Sequence, residues 1–541
     1  MTKTGHLFLE IPQKSFTDGS LPKIFPKKLV LPQRVFPSRF LVERENYSCG
    51  GYFVCYEKVV SNEELALACQ ARNWQFLVNL AADFLIIYCD YSTNELFVIT
   101  DQTGKFPCYF STAGDFLILS TDFGAVKNAL DSATLNIDTA FDYLATGLAL
   151  FPTDETFISE IKQLPPGCLL RIDSSLSFSV ESMVDLDGFI ARKESPYATL
   201  KEFSDDFLIL LGQIVKERLD RVGSLRFAAD LSSGFDSSLI SYLLKGVSKK
   251  SFICYCGFCQ KTTVDTNPKI VAKFAQKHGL KVKFLNEENH FPFSKIYSLR
   301  IAAKEPPKLI LEEREHERFD RVAKDGNTIL FQGSGGDELY DSHLIEFWAP
   351  FPIQQNYFIT VGRLKLGINK ILTKDGLELL LNRERFARKK FYPLIISESA
   401  VGLNLAMFPL AWEIGVWPVT PFIDWRIVQF ARRIPLEGSK KPEKQEIWKY
   451  HSDIFVSSQF KPKRGYEDLA KLYLIKKPEI VISILENSIL GKKGLVKAQE
   501  IVGNVQKGNL KKYLEVDEIV YLLYLLRLEY FLQHNNIKVP V

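Results

Sequence analysis

The hydrophobic positions in the first third of the chain fall in short runs separated by turn residues. Such runs predict β-strands, here at Gly51–Tyr56, Phe84–Tyr88, Leu96–Thr100 and Phe116–Ser120. Helical spacing of apolar residues is weak in this part, except at Glu63–Arg72 and Asp138–Gly147. The pattern therefore predicts a β-rich N-terminal part. It ends in a turn-rich connection from Val184 to Ala198.

A different pattern begins after this connection. Apolar residues recur at helical spacing from Phe203 to Leu219 and predict an amphipathic helix. Predicted strands at Leu225–Leu231, Ser251–Gly257, Val282–Leu285 and Thr328–Gln332 then alternate with predicted helices at Ser237–Lys245, Lys269–His278 and Glu312–Lys324. This alternation predicts a parallel sheet with helices on both faces and ligands at the carboxyl ends of its strands. The chain beyond Leu344 is mostly helical in pattern.

Composition limits the classes of function. A chain of 541 residues is too long for one ordinary core, so we expect two or more domains. The formal charge of +4 is small and not concentrated in a basic arm, which argues against a nucleic-acid partner. The sequence has no apolar stretch of membrane-spanning or signal-peptide length, so we expect a cytoplasmic protein with no membrane association.

The nine cysteines are odd in number and scattered, as expected in a reducing compartment. Cys254, Cys256 and Cys259 include one C-x-x-C pair. A structural zinc site would need a second pair of Cys or His at suitable spacing, and none follows. Small apolar residues of a buried strand are the favoured interpretation.

The candidate chemistry centres on Asp230–Ser238, where a predicted strand ends and a helix begins. Small residues let the backbone curl around an anion, so that N–H groups and the hydroxyls of Ser232, Ser237 and Ser238 point at a phosphate. Asp236 would repel a bare phosphate, which implies a magnesium ion between carboxylate and phosphate oxygens. The Gly-Lys-Ser/Thr ending of a Walker loop is missing. The alternative is an ordinary Ser-rich helix cap.

This stretch resembles the S-G-G-x-D-S pyrophosphate loop of N-type ATP pyrophosphatases, and further segments resemble asparagine synthetases. The matching segments are Gly333–Glu338 (family G-x-G-x-D-E), Pro421–Asp424 (P-F-L-D), Lys461–Tyr466 (the late Lys-Gly segment) and the closing helix Ile519–Phe531 with Glu529. In the front part, Thr100–Phe110, Ser120–Asp122 and Leu164–Gly167 resemble the family's N-terminal-nucleophile glutaminase domain. The resemblance implies an α/β chain with a degenerate Ntn-hydrolase-like αββα domain at 1–195. An adenine-nucleotide α-hydrolase-like (PP-loop) synthetase domain follows at 196–541.

The resemblance also implies roles for individual residues, with ATP and Mg²⁺ as cofactors. The residues expected to bind ATP and pyrophosphate are Leu231, Ser232, Ser233, Gly234, Asp236, Ser237, Ser238, Cys254, Gln332 and Gly333. Asp236 and Asp337 are expected to hold the metal, and Lys463 to stabilise the oxyanion of amide formation, with Glu338 orienting ligands or serving only as a helix-start carboxylate. Ser334 and Trp417 are expected to line the substrate pocket. A further functional lysine is either Lys444 or Lys449.

Several residues differ from the family pattern, and these differences bear on the source of the amine and on the substrate. The family glutaminase needs a cysteine as its first mature residue, whereas this sequence begins Met1-Thr2-Lys3 and lacks the N-G-E-type glutamine-binding segment. We therefore expect no glutamine hydrolysis and a scaffold role for the front domain. Ser233 replaces a loop glycine, which a negative φ would tolerate. Ser334 and Trp417-Pro418-Val419 replace family residues at the substrate pocket, which implies either a substrate other than aspartate or a loss of function.

The resemblance thus implies an ATP-dependent, AMP-forming amide-bond synthetase. A carboxylate would attack the α-phosphate of ATP to give an acyl-adenylate and pyrophosphate, and an amine would then displace AMP. Glutamine-independent relatives include β-lactam synthetases and lasso-peptide macrolactam cyclases, and Gly335-Gly336-Asp337 looks more like the cyclases. The expected partner is a small molecule or peptide carrying a carboxylate and an amine, with a peptide-processing protease as a further partner for a cyclase. Alternatives are an asparagine synthetase using free ammonia, a tRNA-thiolating enzyme and an inactive scaffold.

Overall fold

The structure is a computed structural model. It describes residues 8–12, 36–114, 116–147, 153–184, 195–259, 266–307, 312–340, 368–382, 384, 389–392, 394, 396, 398–435, 442–460, 473–510 and 516–540. Among the helices within these ranges, none is long and apolar enough to cross a membrane.

The front unit is built on two antiparallel sheets. Its strands are β1 (Phe8–Pro12), β2 (Ser38–Glu43), β3 (Tyr47–Cys55), β4 (Ala82–Asp90), β5 (Glu95–Thr100), β6 (Tyr109–Ser111), β7 (Phe116–Ser120), β8 (Ala133–Thr134), β9 (Lys162–Gln163), β10 (Cys168–Ile172) and β11 (Phe178–Ser182). One sheet has the order β11-β10-β5-β4-β3-β2 and the other has the order β1-β7-β6-β9. The four strands predicted from hydrophobic runs lie in these sheets.

Helices cover the outer faces of both sheets. They are α1 (Asn62–Gln70), α2 (Trp74–Val78), α3 (Phe123–Asn128) and α4 (Ile137–Thr146). Successive residues of a strand face opposite sides. Leu85 and Ile87 of β4 accordingly pack with residues of the other sheet, while Phe84 and Ile86 pack with residues of α1 and α2. The front unit therefore has helix, sheet, sheet and helix layers.

The second unit contains a five-stranded parallel sheet, which confirms the predicted α/β fold with a parallel sheet. Its strands are β12 (Phe227–Asp230), β13 (Ile253–Phe258), β14 (Lys281–Asn286), β15 (Ile329–Phe331) and β16 (Trp417–Val419), in the order β14-β13-β12-β15-β16. Every pairing in it is parallel. The hydrophobic pattern predicts the first four of these strands but not β16.

The rest of the second unit, within the described residues, is mainly helical. Its helices are α5 (Leu200–Val222), α6 (Phe235–Val247), α7 (Pro268–His278), α8 (Ile296–Lys304), α9 (Glu312–Lys324), α10 (Gly336–Tyr340), α11 (Lys374–Leu381), α12 (Glu398–Ile414), α13 (Trp425–Ala431), α14 (Lys444–Trp448), α15 (Pro478–Leu485), α16 (Ile489–Lys492), α17 (Ala498–Gln506) and α18 (Val516–Gln533). Short 3₁₀ turns lie at Pro421–Ile423, Lys449–His451 and Ser457–Phe460. Helix α5 starts with a capping box between Thr199 and Glu202, a strong local start signal.

The C-terminal segment returns to the front unit. Strand β17 (Ile537–Lys538) pairs in parallel with β8. Helix α18 packs against α4, where the ring of Tyr524 lies over Gly147 at the end of α4. Residues on the two sides of the predicted boundary at residue 195 therefore make buried contacts with each other.

The contact between Gly147 and Tyr524 gives a stability prediction. Gly147 has a φ of +66°, and a Cβ there would lie 1.8 Å from Tyr524 Cζ. Gly147→Ala should destabilise the protein by about 1–2 kcal/mol for the left-handed backbone and by roughly 1–3 kcal/mol more for the clash. Urea unfolding followed by tryptophan fluorescence measures the change.

Gly114→Ala is the matched control, since Gly114 has a φ of +77° but no atom within 4 Å of the added Cβ. It should show only the backbone cost. Equal losses in the two variants would contradict the packing of α18 against the end of α4.

Candidate functional site

The predicted phosphate loop lies at the carboxyl end of the central strand β12. Leu231 N donates to Tyr255 O at 2.8 Å, which ties the start of the loop to β13. Helix α6 then begins after Gly234, which caps the helix without a side-chain hydrogen bond. An N-terminus capped in this way leaves its first N–H groups without a side-chain acceptor, which is the arrangement that suits an anion.

The serines of the loop bind the loop itself. Ser237 Oγ accepts from Ser232 N at 2.9 Å, Gly234 N donates to Ser232 Oγ at 3.0 Å, and Ser238 Oγ donates to Ser232 O at 3.2 Å. Ser233 is not among the described residues with positive φ, so a side chain is tolerated where the family has glycine. These bonds hold the loop in a defined curve before any ligand arrives.

A second loop, at the end of the neighbouring strand β15, packs directly onto the first. A Cβ on Gly333 would lie 2.4 Å from Ser237 N, and one on Gly336 would lie 2.4 Å from Asp236 Cγ. Only glycine allows this approach at these two positions. The close contact between the two loops therefore explains why the G-x-G-G-D-E segment has glycine at positions 333 and 336.

The two loops place two carboxylates around one ammonium. Lys444 Nζ is 2.5 Å from Asp337 Oδ1 and also contacts Asp236 Oδ2. The side chains of Asp236 and Lys444 are each 15% exposed, whereas that of Asp337 is 80% exposed. Lys449 is exposed and lies over the ring of Tyr450. The structure therefore brings Lys444, and not Lys449, to the predicted site.

Burial and charge shift the pKa values of this cluster. Burial lowers the pKa of Lys444, but the carboxylates of Asp236 and Asp337 outweigh burial and raise it above its ordinary value. Burial, followed by the charges of Asp337 and Asp236, raises the pKa of Glu338 to about 7. Burial also raises the pKa of Asp230. Such shifts are common where several ionisable groups meet in a cleft.

The remaining predicted residues occupy different surroundings. Gln332 is buried and donates from Nε2 to Asp230 Oδ2 at 2.8 Å, beneath the loop. Cys254 is fully buried on β13, with its Sγ 3.8 Å from Ser241 Oγ. Ser334 is partly exposed between Gly333 and Gly335.

Trp417, expected in the substrate pocket, lies in a packed aromatic cluster. It is 2% exposed, and its ring centroid is 5.1 Å from that of Phe106, 5.2 Å from that of Phe408 and 5.5 Å from that of Trp412. Phe106 belongs to the front unit, so this cluster joins the two units. This packing leaves the indole no open face, and the structure gives no support to a pocket role for it.

Two residues that the sequence analysis did not single out hold the phosphate loop. Gln459 Nε2 donates to Gly234 O at 3.2 Å and to Ser238 Oγ at 2.9 Å, and Asn267 N donates to Ser233 Oγ at 3.2 Å. Both residues are far from the loop in sequence, and neither carries a local signal of this contact. Lys463 lies outside the described residues.

Asp236 and Asp337 form a donor set that fits a magnesium ion. Their carboxylates converge on a single cation, and no group of three or more His, Cys, Asp or Glu that could hold a metal occurs in the part of the chain that the structure describes. Mg²⁺ is commonly bound by one or two carboxylates, with substrate phosphates and water completing the shell. The pair therefore suits a metal that arrives with a nucleotide.

A cavity of about 100 Å³ lies elsewhere, between the two units. Its lining includes Asp122 of the front unit and Lys304 and Glu413 of the second, with Lys304 Nζ 2.8 Å from Asp122 Oδ1 and 3.1 Å from Glu413 Oε1. None of its lining residues belongs to the predicted phosphate site.

The arrangement around Lys444 predicts a change in metal affinity. Lys444→Met keeps the length and apolar stem of the side chain but removes the ammonium that competes for Asp236 and Asp337. Mn²⁺, used alone as a probe, should bind the variant at least about tenfold tighter, because a charge at contact distance is worth on the order of a few kcal/mol near a surface. Titration followed by electron paramagnetic resonance of free Mn²⁺ measures this affinity.

Lys449→Met, which removes an exposed ammonium, should leave Mn²⁺ affinity unchanged. Unchanged affinity in Lys444→Met as well would show that the two carboxylates are not a cation site.

Comparison with known proteins supports the similarity for part of the chain. Residues 206–392 match the family model described as asparagine synthase. This match covers about a third of the chain and includes both loops, but not Lys444, Lys463 or the front unit. A comparison with curated proteins gives no match.

Two solved structures show a weak likeness. One is described as the allosteric regulatory enzyme of purine biosynthesis, with 13% identity over 47% of this chain and 63% of that chain and a TM-score of 0.18. The other is glutamine phosphoribosylpyrophosphate amidotransferase from B. subtilis complexed with ADP and GMP, with 10% identity over 56% of this chain and 65% of that chain and a TM-score of 0.19. This chain covers less than two thirds of either structure, and scores this low support no inference. The similarity that stands is that of residues 206–392 to asparagine synthases, and it supports ATP-dependent C–N bond formation in general.

Proposed function

We propose that the protein is an ATP-dependent, AMP-forming amide-bond synthetase that activates a substrate carboxylate and couples it to an amine. The observation that carries the proposal is the meeting of the α6 N-terminus, Asp236, Asp337 and Lys444 at the carboxyl edge of the parallel sheet. Ligands of open parallel sheets bind at this edge. The asparagine synthase match over both loops supports the same class of reaction.

Each group has a task in this reaction. The N–H groups at the start of α6 and the ammonium of Lys444 attract the β- and γ-phosphates, because helix N-termini and lysines both bind phosphate. Asp236 and Asp337 would hold Mg²⁺, which when bound neutralises charge on the phosphates. Lys444 would then leave the carboxylates for the phosphate oxygens. Glu338 orients ligands beside Asp337, and Lys463 stabilises the oxyanion of amide formation.

The proposed reaction has two steps and needs only ATP, a carboxylate and an amine. The substrate carboxylate attacks the α-phosphorus, the bond to the β-phosphate oxygen breaks, and pyrophosphate leaves. The amine then attacks the activated carbonyl, AMP departs with the bonding electrons, and the amine proton is lost to the surroundings. Ring closure within one molecule, of macrolactam type, is the form of coupling that the Gly335-Gly336-Asp337 motif favours, and β-lactam ring closure is the alternative.

Mg²⁺-dependent ATP binding tests this function without a known substrate. Asp236→Asn and Asp337→Asn should each weaken MgATP binding by at least about tenfold, since each removes an anionic ligand from a doubly charged ion. Calorimetric titration with MgATP measures the affinity. Incubation with candidate carboxylates and amines, aspartate with ammonia included, should then release AMP and pyrophosphate rather than ADP.

Asp220→Asn is the control, because Asp220 is an exposed carboxylate on α5 that pairs with Lys216. Its MgATP affinity should equal that of the wild type. Wild-type affinity in both site variants, or no binding by the wild type itself, would rule out the proposed nucleotide site.

We further propose that the amine does not come from glutamine. All nine cysteines of the chain are buried, and in the front unit burial raises the pKa of Cys55 and raises that of Cys168 to about 12. A thiol nucleophile must be accessible and readily ionised. The front unit therefore presents no thiol suited to glutamine hydrolysis.

Incubation of the purified protein with glutamine, with and without MgATP, should release no glutamate above the blank. An enzyme-coupled glutamate assay measures the product. Sustained release that alkylation of cysteine abolishes would contradict this part of the proposal.

A further inference from the structure

A set of buried charged and polar groups crosses from the front unit to the second unit. In the front unit, Lys105 has a fully buried side chain and its Nζ lies 2.8 Å from Asp83 Oδ2. Tyr56 OH donates to the same carboxylate oxygen at 2.5 Å. Burial lowers the pKa of Lys105, and the Asp83 carboxylate opposes that shift. Charges so far from water persist only when they are paired and hydrogen-bonded.

The set continues across the interface through the ring of Tyr56. The guanidinium of Arg218, on α5, lies over this ring at 4.0 Å from its centroid, and its NH2 atom donates to Asp424 Oδ2 at 3.0 Å. The side chains of Arg218 and Asp424 are 3% and 1% exposed. A desolvated cation over an aromatic face is held more strongly than an exposed one. We call Lys105, Asp83, Tyr56, Arg218 and Asp424 the buried charge chain.

The buried charge chain ends beside the second loop of the site. Asp424 directly follows the turn Pro421–Ile423, and a Cβ on Gly335 would lie 2.4 Å from Ile423 Cγ2. Gly335 has a φ of +94° and lies two residues before Asp337. A shift of the turn would therefore press on, or release, the loop that carries a proposed metal ligand.

We propose that the front unit acts as a positioning domain, which uses the buried charge chain to hold the Gly333–Glu338 loop in its binding conformation. Tyr56 is the positioning residue at the interface, since it contacts both Asp83 of the front unit and Arg218 of the second. Only the expected effect on nucleotide binding rests on the proposed function of this loop. The mechanical coupling between the units is independent of it.

Hydrogen–deuterium exchange of the whole protein tests the coupling. Tyr56→Leu removes the ring beneath Arg218 and the hydroxyl on Asp83, so amides of 419–428 and 333–340 should exchange about tenfold faster, as local opening becomes easier. Amides of 281–287, on the far edge of the parallel sheet, should be unchanged. Tyr56→Phe keeps the ring and should give a smaller rise, of about threefold, in the same two segments.

Tyr47→Leu is the matched control, because Tyr47 is a buried front-unit tyrosine that packs between the six-stranded sheet and α1. It should lower stability while leaving 419–428 and 333–340 as in the wild type. An equal rise in the exchange rates of 419–428 and 333–340 in Tyr47→Leu, or no rise in Tyr56→Leu, would overturn the proposal. If Tyr56→Leu does not fold, Tyr56→Phe decides, since wild-type exchange in both segments would then overturn it.

MgATP affinity separates this inference from the proposed function. Tyr56→Phe should weaken MgATP binding by no more than about threefold, the same factor as its rise in exchange, because a loop that is less often in place lowers apparent affinity. Failure of the wild type to bind MgATP would refute the nucleotide site, while the exchange data would still decide whether the front unit positions the loop.

Discussion

The ammonium of Lys444 between the carboxylates of Asp236 and Asp337 joins three segments that are far apart in sequence. Parallel strands bring the two loops to one edge, and glycines at 333 and 336 let them approach to contact. Two carboxylates that contact the same ammonium are close enough to repel each other, so the cluster needs a cation between them. A lysine fills that need here, and in the proposed function a nucleotide-bound metal would take its place.

The same requirement for compensation organises the interface between the units. Arg218 and Asp424 are almost completely buried, and their pairing is supported by Tyr56 from the front unit. Arg426 also donates to Asp424 and, with Arg218, holds the pKa of that buried carboxyl below its usual value against the effect of burial. Removing one member of such a set leaves a buried charge uncompensated, which costs far more than losing a surface ion pair. Because of this difference in cost, a front unit without an accessible thiol would still affect the conformation of the site through the buried interface.

Local signals were sufficient for much of the fold. Helix Glu312–Lys324 and strand Phe116–Ser120 have the bounds that their patterns predict. Strand β16 was missed because it has three residues and contains Pro418, which disfavours strand assignment. The choice between Lys444 and Lys449 was also out of reach. It depends on how Ile447 and Trp448 bury one side of α14 against the rest of the chain, and Trp417 likewise owes its burial to a partner, Phe106, about 300 residues away.

The most direct test of the account is an experimental structure of the protein with Mg²⁺ and α,β-methylene ATP, whose α–β bridge cannot be cleaved. We expect the β- and γ-phosphates at the N-terminus of α6, a metal ion between Asp236 and Asp337, and the Lys444 ammonium moved from the carboxylates to a phosphate oxygen. A triphosphate bound elsewhere, or Lys444 still between the two carboxylates with the nucleotide in place, would contradict this expectation.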